Sequence, residues 1–171
     1  MINGFCREGY PLSLSQSTRD IEKYIIQRIK QTLADAGSVI FCCDSHTNDA
    51  PEFKQYPLHC IKGTIEAEVV DTLKPYLTKA KLIEKNTLSI FYKTKLEQIL
   101  KRNKPTSIEL VGVCTDICDL FAAYELRNRG YSVFVSHKGV LPLDTYKQHE
   151  TLTYLRDRLG VEVEFNSSNS K

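Results

Sequence analysis

The feature that most constrains the fold is that apolar runs of strand length alternate with segments of helical periodicity along the whole chain. The run at 38–43 is almost entirely apolar, which is typical of a strand buried on both faces of a parallel sheet. The preceding segment, 15–37, repeats apolar side chains every three or four residues, as an amphipathic helix does. Because strands that alternate with helices form parallel sheets through right-handed crossovers, the sequence predicts a three-layer α/β/α fold with a mostly parallel sheet.

The same patterns place further strands and helices along the chain. Predicted strands cover 81–85, 107–114, 131–135 and 161–165. Predicted helices cover 66–77, 94–103, 115–129 and 144–159. Gly37 and Gly160 are expected to end helices as C′ residues, and Asp144 is expected to cap the last helix. The length of 171 residues suits one domain, which we expect over residues 1–165, with a disordered tail over 166–171.

Composition excludes several classes of function. A formal net charge of +2, from 23 basic and 21 acidic side chains, predicts no nucleic-acid partner. No stretch approaches the ~20 apolar residues that span a bilayer, and we expect no membrane partner and no signal peptide. The six cysteines lack the spacing of a disulfide framework, so we expect free thiols and a cytoplasmic location. The sequence leaves open whether the chain forms a homo-oligomer.

A cysteine lies where the most regular predicted strand meets a helix. The strand at 107–114 leads directly into the helix, Thr115 or Asp116 is expected to cap it, and Cys118 falls in its first turn. There the helix dipole and unpaired N–H groups favour a thiolate and can hold an oxyanion, as acyl transfer requires. The alternative, more frequent for a lone cysteine, is a small buried side chain that only packs. Cys114 is interpreted as packing, with a backbone N–H that can still serve the site.

The polar segment 44–63, here called the metal loop, carries a candidate metal site. Asp44 and His46 follow a predicted strand, and His59 lies thirteen residues further on. One carboxylate and two imidazoles suit Zn²⁺, Fe²⁺ or Mn²⁺ and leave positions open for water or substrate. The alternative is that a polar loop holds two of the chain's four histidines without a ligand. Lys85 ends a predicted strand at the same edge of the sheet, where a solvated lysine is the alternative interpretation.

Three motifs resemble one known family in the same order along the chain. They are Asp44-Ser-His46 with Tyr56-Pro-Leu-His59-Cys-Ile-Lys-Gly-Thr64, then Lys85-Asn-Thr-Leu-Ser-Ile-Phe91, then Val111-Gly-Val-Cys-Thr-Asp-Ile-Cys118. The last motif resembles the signature of the isochorismatase-like cysteine hydrolases. The first is similar to the metal loop of nicotinamidases (pyrazinamidases), and the second to the family's lysine motif. The resemblance extends from about Asn3 to Phe165 and therefore covers nearly the whole chain.

The resemblance implies an amidohydrolase that converts nicotinamide to nicotinate and ammonia through a thioester on Cys118. It implies that the backbone N–H groups of Cys118 and Cys114 hold the oxyanion, with a cis peptide bond after Val113. It also implies that Lys85 stabilises the thiolate and that Phe5 lines the ring pocket. The reaction would belong to pyridine nucleotide salvage, in NAD metabolism.

The resemblance also implies a metal cofactor bound by Asp44, His46 and His59. Zinc is the expected ion, with Fe²⁺ and Mn²⁺ as alternatives, and its role would be to receive the pyridine nitrogen and orient the ring. The expected partner is therefore a small amide such as nicotinamide or pyrazinamide.

One part of the family pattern is not found in this sequence. In the family, the first strand ends in an aspartate that serves the thiol, just ahead of an Asn-Gly/Asp-Phe motif. Here that motif is Asn3-Gly-Phe5, and the aspartate would fall immediately before Met1. We therefore expect the first central strand to be absent, the 171 residues alone to be poorly stable, and amidase activity to be weak. Adding a short apolar strand that ends in Asp is expected to recover turnover.

Two other functions remain open at this point. One is an isochorismatase-like hydrolase of another small substrate, which the two histidines disfavour because such members often lack them. The other is a catalytically inactive scaffold that binds a metal or another subunit, which the missing aspartate favours.

Overall fold

The computed structural model describes residues 1–14 and 18–166, which belong to two compact units, 1–103 and 104–171. The first residues of the predicted helix at 15–37 and all but the first residue of the tail expected at 166–171 lie outside the described residues. Each unit combines parallel strands with helices, so the α/β class predicted from the sequence is confirmed.

The first unit, residues 1–103, contains the helices and strands on both sides of the metal loop. Its helices are α1 (Asn3–Cys6), α2 (Thr18–Ala34) and α3 (Leu96–Asn103), and its strands are β1 (Ile40–Asp44) and β2 (Lys81–Lys85). The two strands pair in parallel, with Ile40 opposite Lys81 and Asp44 opposite Lys85. Because the strands end at the same level, the side chains of Asp44 and Lys85 are brought side by side.

Helix α2 buries the apolar stripe predicted from its sequence, but it ends differently. The buried positions of the stripe are Ile21, Ile25 and Ile29. Ala36, and not Gly37 as predicted, adopts the left-handed conformation, with φ of 56°. Glycine at position 37 instead avoids a steric clash, because a Cβ there would lie only 2.9 Å from the carbonyl oxygen of Thr32.

The helix predicted at 66–77 is wrong. The segment instead forms two short 3₁₀ turns, Ile65–Ala67 and Lys74–Lys79. Backbone groups between these turns bond to the start of the chain: Asn3 N–H donates to Glu68 O at 2.9 Å, and Val70 N–H donates to Met1 O at 3.3 Å. These tertiary hydrogen bonds replace the ones that a helix would make within itself, and they hold α1 against this segment.

The second unit is a three-stranded parallel sheet with two helices. Its strands are β3 (Ile108–Val113), β4 (Val133–Leu141) and β5 (Glu162–Glu164), and its helices are α4 (Leu120–Asn128) and α5 (Gln148–Leu159). The spatial order is β3-β4-β5. Gly160 ends α5 with φ of 64°, as predicted. Asp144 does not cap α5 itself, as predicted, but caps a 3₁₀ turn that leads into it, by accepting from Tyr146 N–H at 3.0 Å.

Strand β4 is longer than the predicted strand at 131–135. It continues to Leu141 through polar residues that do not fit the apolar pattern of a buried strand. The hydroxyl of Ser136 donates to Glu164 Oε2 at 2.5 Å, and Lys138 Nζ donates to Glu164 Oε1 at 3.0 Å. Because β5 supplies this carboxylate, the polar residues of β4 are satisfied within the sheet.

No helix within the described part of the chain combines the length and the hydropathy needed to cross a bilayer.

Candidate active site and metal centre

Three buried side chains converge at the end of β1. Asp44 is the last residue of the strand, and His46 and His59 belong to the metal loop that follows. Their exposed fractions are 5%, 0% and 2%, and one ligand atom from each lies within 4.8 Å of the others. This spacing allows a single metal ion to be bound by all three. The structure therefore brings together the three ligands predicted from the sequence.

The metal loop brings its two histidines together by pairing its own ends. His46 N–H donates to Cys60 O at 2.9 Å, and Lys62 N–H donates to His46 O at 2.9 Å. This pairing forms a parallel bridge between His46 and Ile61, and it places His59 against His46 with ring centroids 4.8 Å apart. Backbone hydrogen bonds of the loop thus bring together His46 and His59, which are thirteen residues apart in the sequence.

An unsatisfied polar pair shows that these residues fit a cation. Among residues 1–14 and 18–166, His46 Nε2 and Glu52 Oε1 are buried and have no hydrogen-bond partner. His46 Nε2 lies 3.8 Å from Asp44 Oδ1 and 3.6 Å from Glu52 Oε1. Leaving such groups unsatisfied costs on the order of 1–3 kcal/mol each, and a divalent ion with nitrogen and oxygen ligands would satisfy all of them.

Glu52 was missed by the sequence analysis. Its side chain is only 9% exposed, whereas the other carboxylate between the two histidines, Asp49, is exposed. Sequence offers no signal that separates the two acids, because both lie in the same polar stretch. Burial beside His46 is what distinguishes Glu52.

Aromatic rings surround the two histidines. Phe53 lies 5.4 Å from His46 and 5.5 Å from His59, measured between ring centroids, and Phe5 lies 5.7 Å from His59. Phe5 is buried on α1, so the structure places this predicted pocket residue against His59, which is a predicted metal ligand. Gly4 allows the close approach of α1, because a Cβ there would lie 2.6 Å from the sulfur of Cys60.

Lys85 is buried at the end of β2 and contacts Asp44. Its ammonium group forms an ion pair with Asp44 Oδ1 and donates a hydrogen bond to Thr87 O at 3.2 Å. A buried ammonium is costly unless it is paired, so the aspartate explains how a lysine with 4% exposure is tolerated. The role predicted for Lys85 beside the thiol stays a prediction.

All six cysteines are free thiols, as predicted. Burial raises the pKa of Cys42 to about 12, and burial is also the main cause of the raised pKa values of three further thiols, those of Cys6, Cys43 and Cys60. These four cysteines therefore stay protonated near neutral pH and are poor nucleophiles.

In the second unit, Cys118 lies on a turn formed by residues 113–119, here called the thiol turn. The backbone makes a π-helical turn over residues 115–119, in which Cys114 O accepts from Asp119 N–H at 3.0 Å. The peptide bond between Val113 and Cys114 is cis, which confirms the expectation from the resemblance. Cys114 is buried and Cys118 is half-buried, so Cys118 has the greater access to solvent.

The helix cap predicted for the thiol turn is wrong. Asp116 instead accepts hydrogen bonds from two backbone N–H groups of the segment after β4, those of Leu143 at 2.8 Å and Asp144 at 3.3 Å. Thr115 does not cap the helix either, and its hydroxyl is buried without a hydrogen-bond partner in the described residues. Asp116 therefore ties the thiol turn to a distant segment instead of closing the helix beside it.

Comparison with known proteins defines the class. The chain matches the isochorismatase domain family over residues 1–164. It is 28% identical over 170 residues to an uncharacterized isochorismatase family protein, PncA, of Bacillus subtilis, which covers 94% of this chain and 93% of that protein. It is 31% identical over 147 residues to nicotinamidase 1 of Arabidopsis thaliana, covering 78% of this chain and 60% of that protein.

A solved structure supports the same class. The crystal structure of nicotinamidase PncA from Bacillus subtilis matches with a TM-score of 0.88 at 28% identity, covering 95% of this chain and 94% of that one. The chain belongs to the isochorismatase family. It is an isochorismatase-family hydrolase that resembles nicotinamidases at low sequence identity.

Proposed function

We propose that this protein is a metal-dependent nicotinamidase, which hydrolyses nicotinamide to nicotinate and ammonia. The observation that carries the proposal is the buried convergence of Asp44, His46 and His59, with His46 Nε2 unsatisfied beside them. The names of similar proteins, nicotinamidase 1 of Arabidopsis thaliana and nicotinamidase PncA of Bacillus subtilis, support the substrate. The family match over residues 1–164 supports treating residues 1–165 as one hydrolase domain.

The metal ligands proposed are Asp44, His46 and His59, with Glu52 as a further carboxylate donor. Two imidazoles with one or two carboxylates favour zinc, and they also accept Fe²⁺ or Mn²⁺. When bound, a divalent ion supplies a Lewis-acidic position for the pyridine nitrogen of the substrate. Phe5 then offers an aromatic surface beside His59 for the ring.

The nucleophile proposed is the thiolate of Cys118. Its sulfur attacks the carboxamide carbon, and the backbone N–H groups of Cys118 and Cys114 hold the oxygen that becomes negative. The carbon–nitrogen bond breaks, ammonia leaves with the hydrogen that the thiol gave up, and a thioester remains. Water then hydrolyses the thioester, which releases nicotinate and restores the thiol. The cationic group of Lys85 is assigned to stabilising the thiolate.

The test is ammonia release from nicotinamide by zinc-loaded protein, at an enzyme concentration high enough to measure slow turnover. We expect Cys118→Ser to lower kcat on the order of 10⁴-fold or more, because the nucleophile is lost. Cys42→Ser is the matched control, since this thiol is held protonated by burial, and it should retain activity.

Benzamide is the second arm of this experiment, because it keeps the amide and lacks the ring nitrogen. It should be hydrolysed with a much higher KM than nicotinamide. Equal ammonia release by the wild type and Cys118→Ser would overturn the assignment of the nucleophile. Equal KM values for the two amides would overturn the metal's role in binding the ring.

A further inference from the structure

The orientation of the Asn86 side chain is determined by a neighbouring backbone group. Asn86 Oδ1 lies 2.9 Å from Thr47 N, and Asn86 Nδ2 lies 2.9 Å from Thr47 Oγ1. A backbone N–H can only donate, so the amide atom facing Thr47 N must be the oxygen and not the nitrogen. A flipped amide would set two donors against each other.

This orientation determines which ring nitrogen of His46 carries hydrogen. His46 Nδ1 lies 3.4 Å from Asn86 Oδ1. An amide oxygen has no hydrogen to give, so the hydrogen in this contact belongs to His46 Nδ1. In a neutral imidazole, Nε2 is then left with a bare lone pair. That atom is the unsatisfied one that lies near Asp44 and Glu52.

The second histidine is fixed in the same sense. His59 Nδ1 lies 2.8 Å from Pro57 O, which can only accept a hydrogen bond. Both rings therefore direct hydrogen away from the metal site through Nδ1. They differ in the acceptor: a backbone carbonyl serves His59, whereas a side chain that can be substituted serves His46.

We propose that Asn86 is a positioning residue for the metal centre, which holds His46 as the Nδ1–H tautomer and keeps Nε2 available as a ligand. This inference rests on the metal site in the proposed function. The place of Asn86 in the fold supports it, because Asn86 follows Lys85 directly at the end of β2. There Ser45 N–H donates to Lys85 O at 2.9 Å, so the pairing of β1 with β2 sets the two segments in register.

The first test is zinc affinity, measured by competition with a chelator of known affinity and without substrate. Asn86→Ala should weaken zinc binding about 10- to 100-fold, the range typical of losing a hydrogen bond that supports a ligand. Asn86→Asp keeps an acceptor for Nδ1–H and should therefore bind zinc more tightly than Asn86→Ala does. Thr47→Val keeps the backbone N–H that orients the amide, so it is the matched control and should change affinity by less than about threefold.

The second test reads the tautomer directly, by NMR of the ring nitrogens in protein labelled with ¹⁵N-histidine. The chain has four histidines, which keeps assignment tractable. In the zinc-loaded protein we expect a protonated Nδ1 and a metal-bound Nε2 for His46. In Asn86→Ala we expect this pattern to be lost or mixed, which a merely structural role for Asn86 would not produce.

The outcomes separate this inference from the proposed function. If the wild type binds neither Zn²⁺ nor Co²⁺ at this site, the metal centre itself is wrong and the proposed function falls with it. If the wild type binds zinc and Asn86→Ala binds it equally well, only the role of Asn86 is wrong. Metal bound through Nδ1 of His46, or a loss of affinity in Thr47→Val as large as in Asn86→Ala, would also overturn that role.

Discussion

The metal loop and the thiol turn meet the demands of buried polar groups in opposite ways. In the metal loop, an imidazole nitrogen and a carboxylate oxygen, on His46 and Glu52, are buried 3.6 Å apart without hydrogen-bond partners in the described residues. In the thiol turn, the carboxylate of Asp116 accepts two backbone hydrogen bonds, and Cys114 O accepts two more. A buried neutral hydroxyl of this turn, that of Thr115, has no hydrogen-bond partner in the described residues.

This difference indicates where the protein can bind a ligand. Native proteins satisfy nearly all their buried polar groups, so unsatisfied charged or basic groups that face one another indicate a ligand-binding position. The metal loop has this property, whereas the thiol turn is stabilised by its own backbone and by Asp116. Substitutions in the metal loop should therefore affect ligand binding most, and substitutions in the thiol turn should affect the free energy of unfolding most.

The largest effect is expected for His46→Ala. Because a ligand is removed, zinc affinity should fall by more than the ~100-fold upper range for losing a supporting hydrogen bond. The free energy of unfolding of the metal-free protein should change little, because two opposing effects offset each other. Packing of the buried ring is lost, but a nitrogen without a hydrogen-bond partner is removed with it. Zinc content after dialysis and urea unfolding in a chelator measure the two effects. His149→Ala, which removes a histidine of the second unit, is the control. Full zinc retention by His46→Ala would contradict the metal site.

A smaller effect, on stability, is expected for Asp116→Ala. Two hydrogen bonds to a charged acceptor are lost, which should lower the free energy of unfolding by about 2–3 kcal/mol. Asp116→Asn keeps one acceptor oxygen and should recover part of the loss. Urea unfolding measures the stability, and the alkylation rate of Cys118 by iodoacetamide reports the geometry of the turn. If Asp116→Ala is as stable as the wild type, the hydrogen bonds of Asp116 do not stabilise the thiol turn, which would contradict its proposed difference from the metal loop.

The smallest effect is expected for Glu52→Gln, and its two parts have opposite signs. Removing one of the carboxylates around His46 Nε2 should leave the metal-free protein equally or slightly more stable, by about 0.5 kcal/mol. The gain in melting temperature on adding zinc should become smaller, because a weaker ligand shifts the folding equilibrium less. Asp49→Asn, which changes the exposed acid of the same loop, should leave both quantities unchanged. An undiminished zinc-dependent gain in Glu52→Gln would exclude Glu52 from the metal site.

Local patterns in the sequence predicted most of the elements correctly. The strand at 81–85 was predicted with the bounds that the structure has, and the apolar stripe of α2 and the termination of α5 at Gly160 were also predicted correctly. Such features follow from side-chain periodicity and from backbone preferences of single residues, which neighbours in sequence determine. The failures came where distant segments competed for the same backbone groups, as at 66–77.

The candidate site shows the same division. The sequence by itself determined the residue types: one acid at the end of β1 with two imidazoles beyond it, a lysine at the end of β2, and a thiol after β3. Only the tertiary structure decided that Glu52 is buried while Asp49 is exposed, that Asn86 faces His46, and that Asp116 bonds to Leu143 and Asp144. The physical reason is that a motif specifies chemistry at fixed positions, whereas burial and hydrogen-bond partners depend on segments that are far apart in the chain and meet only when it folds.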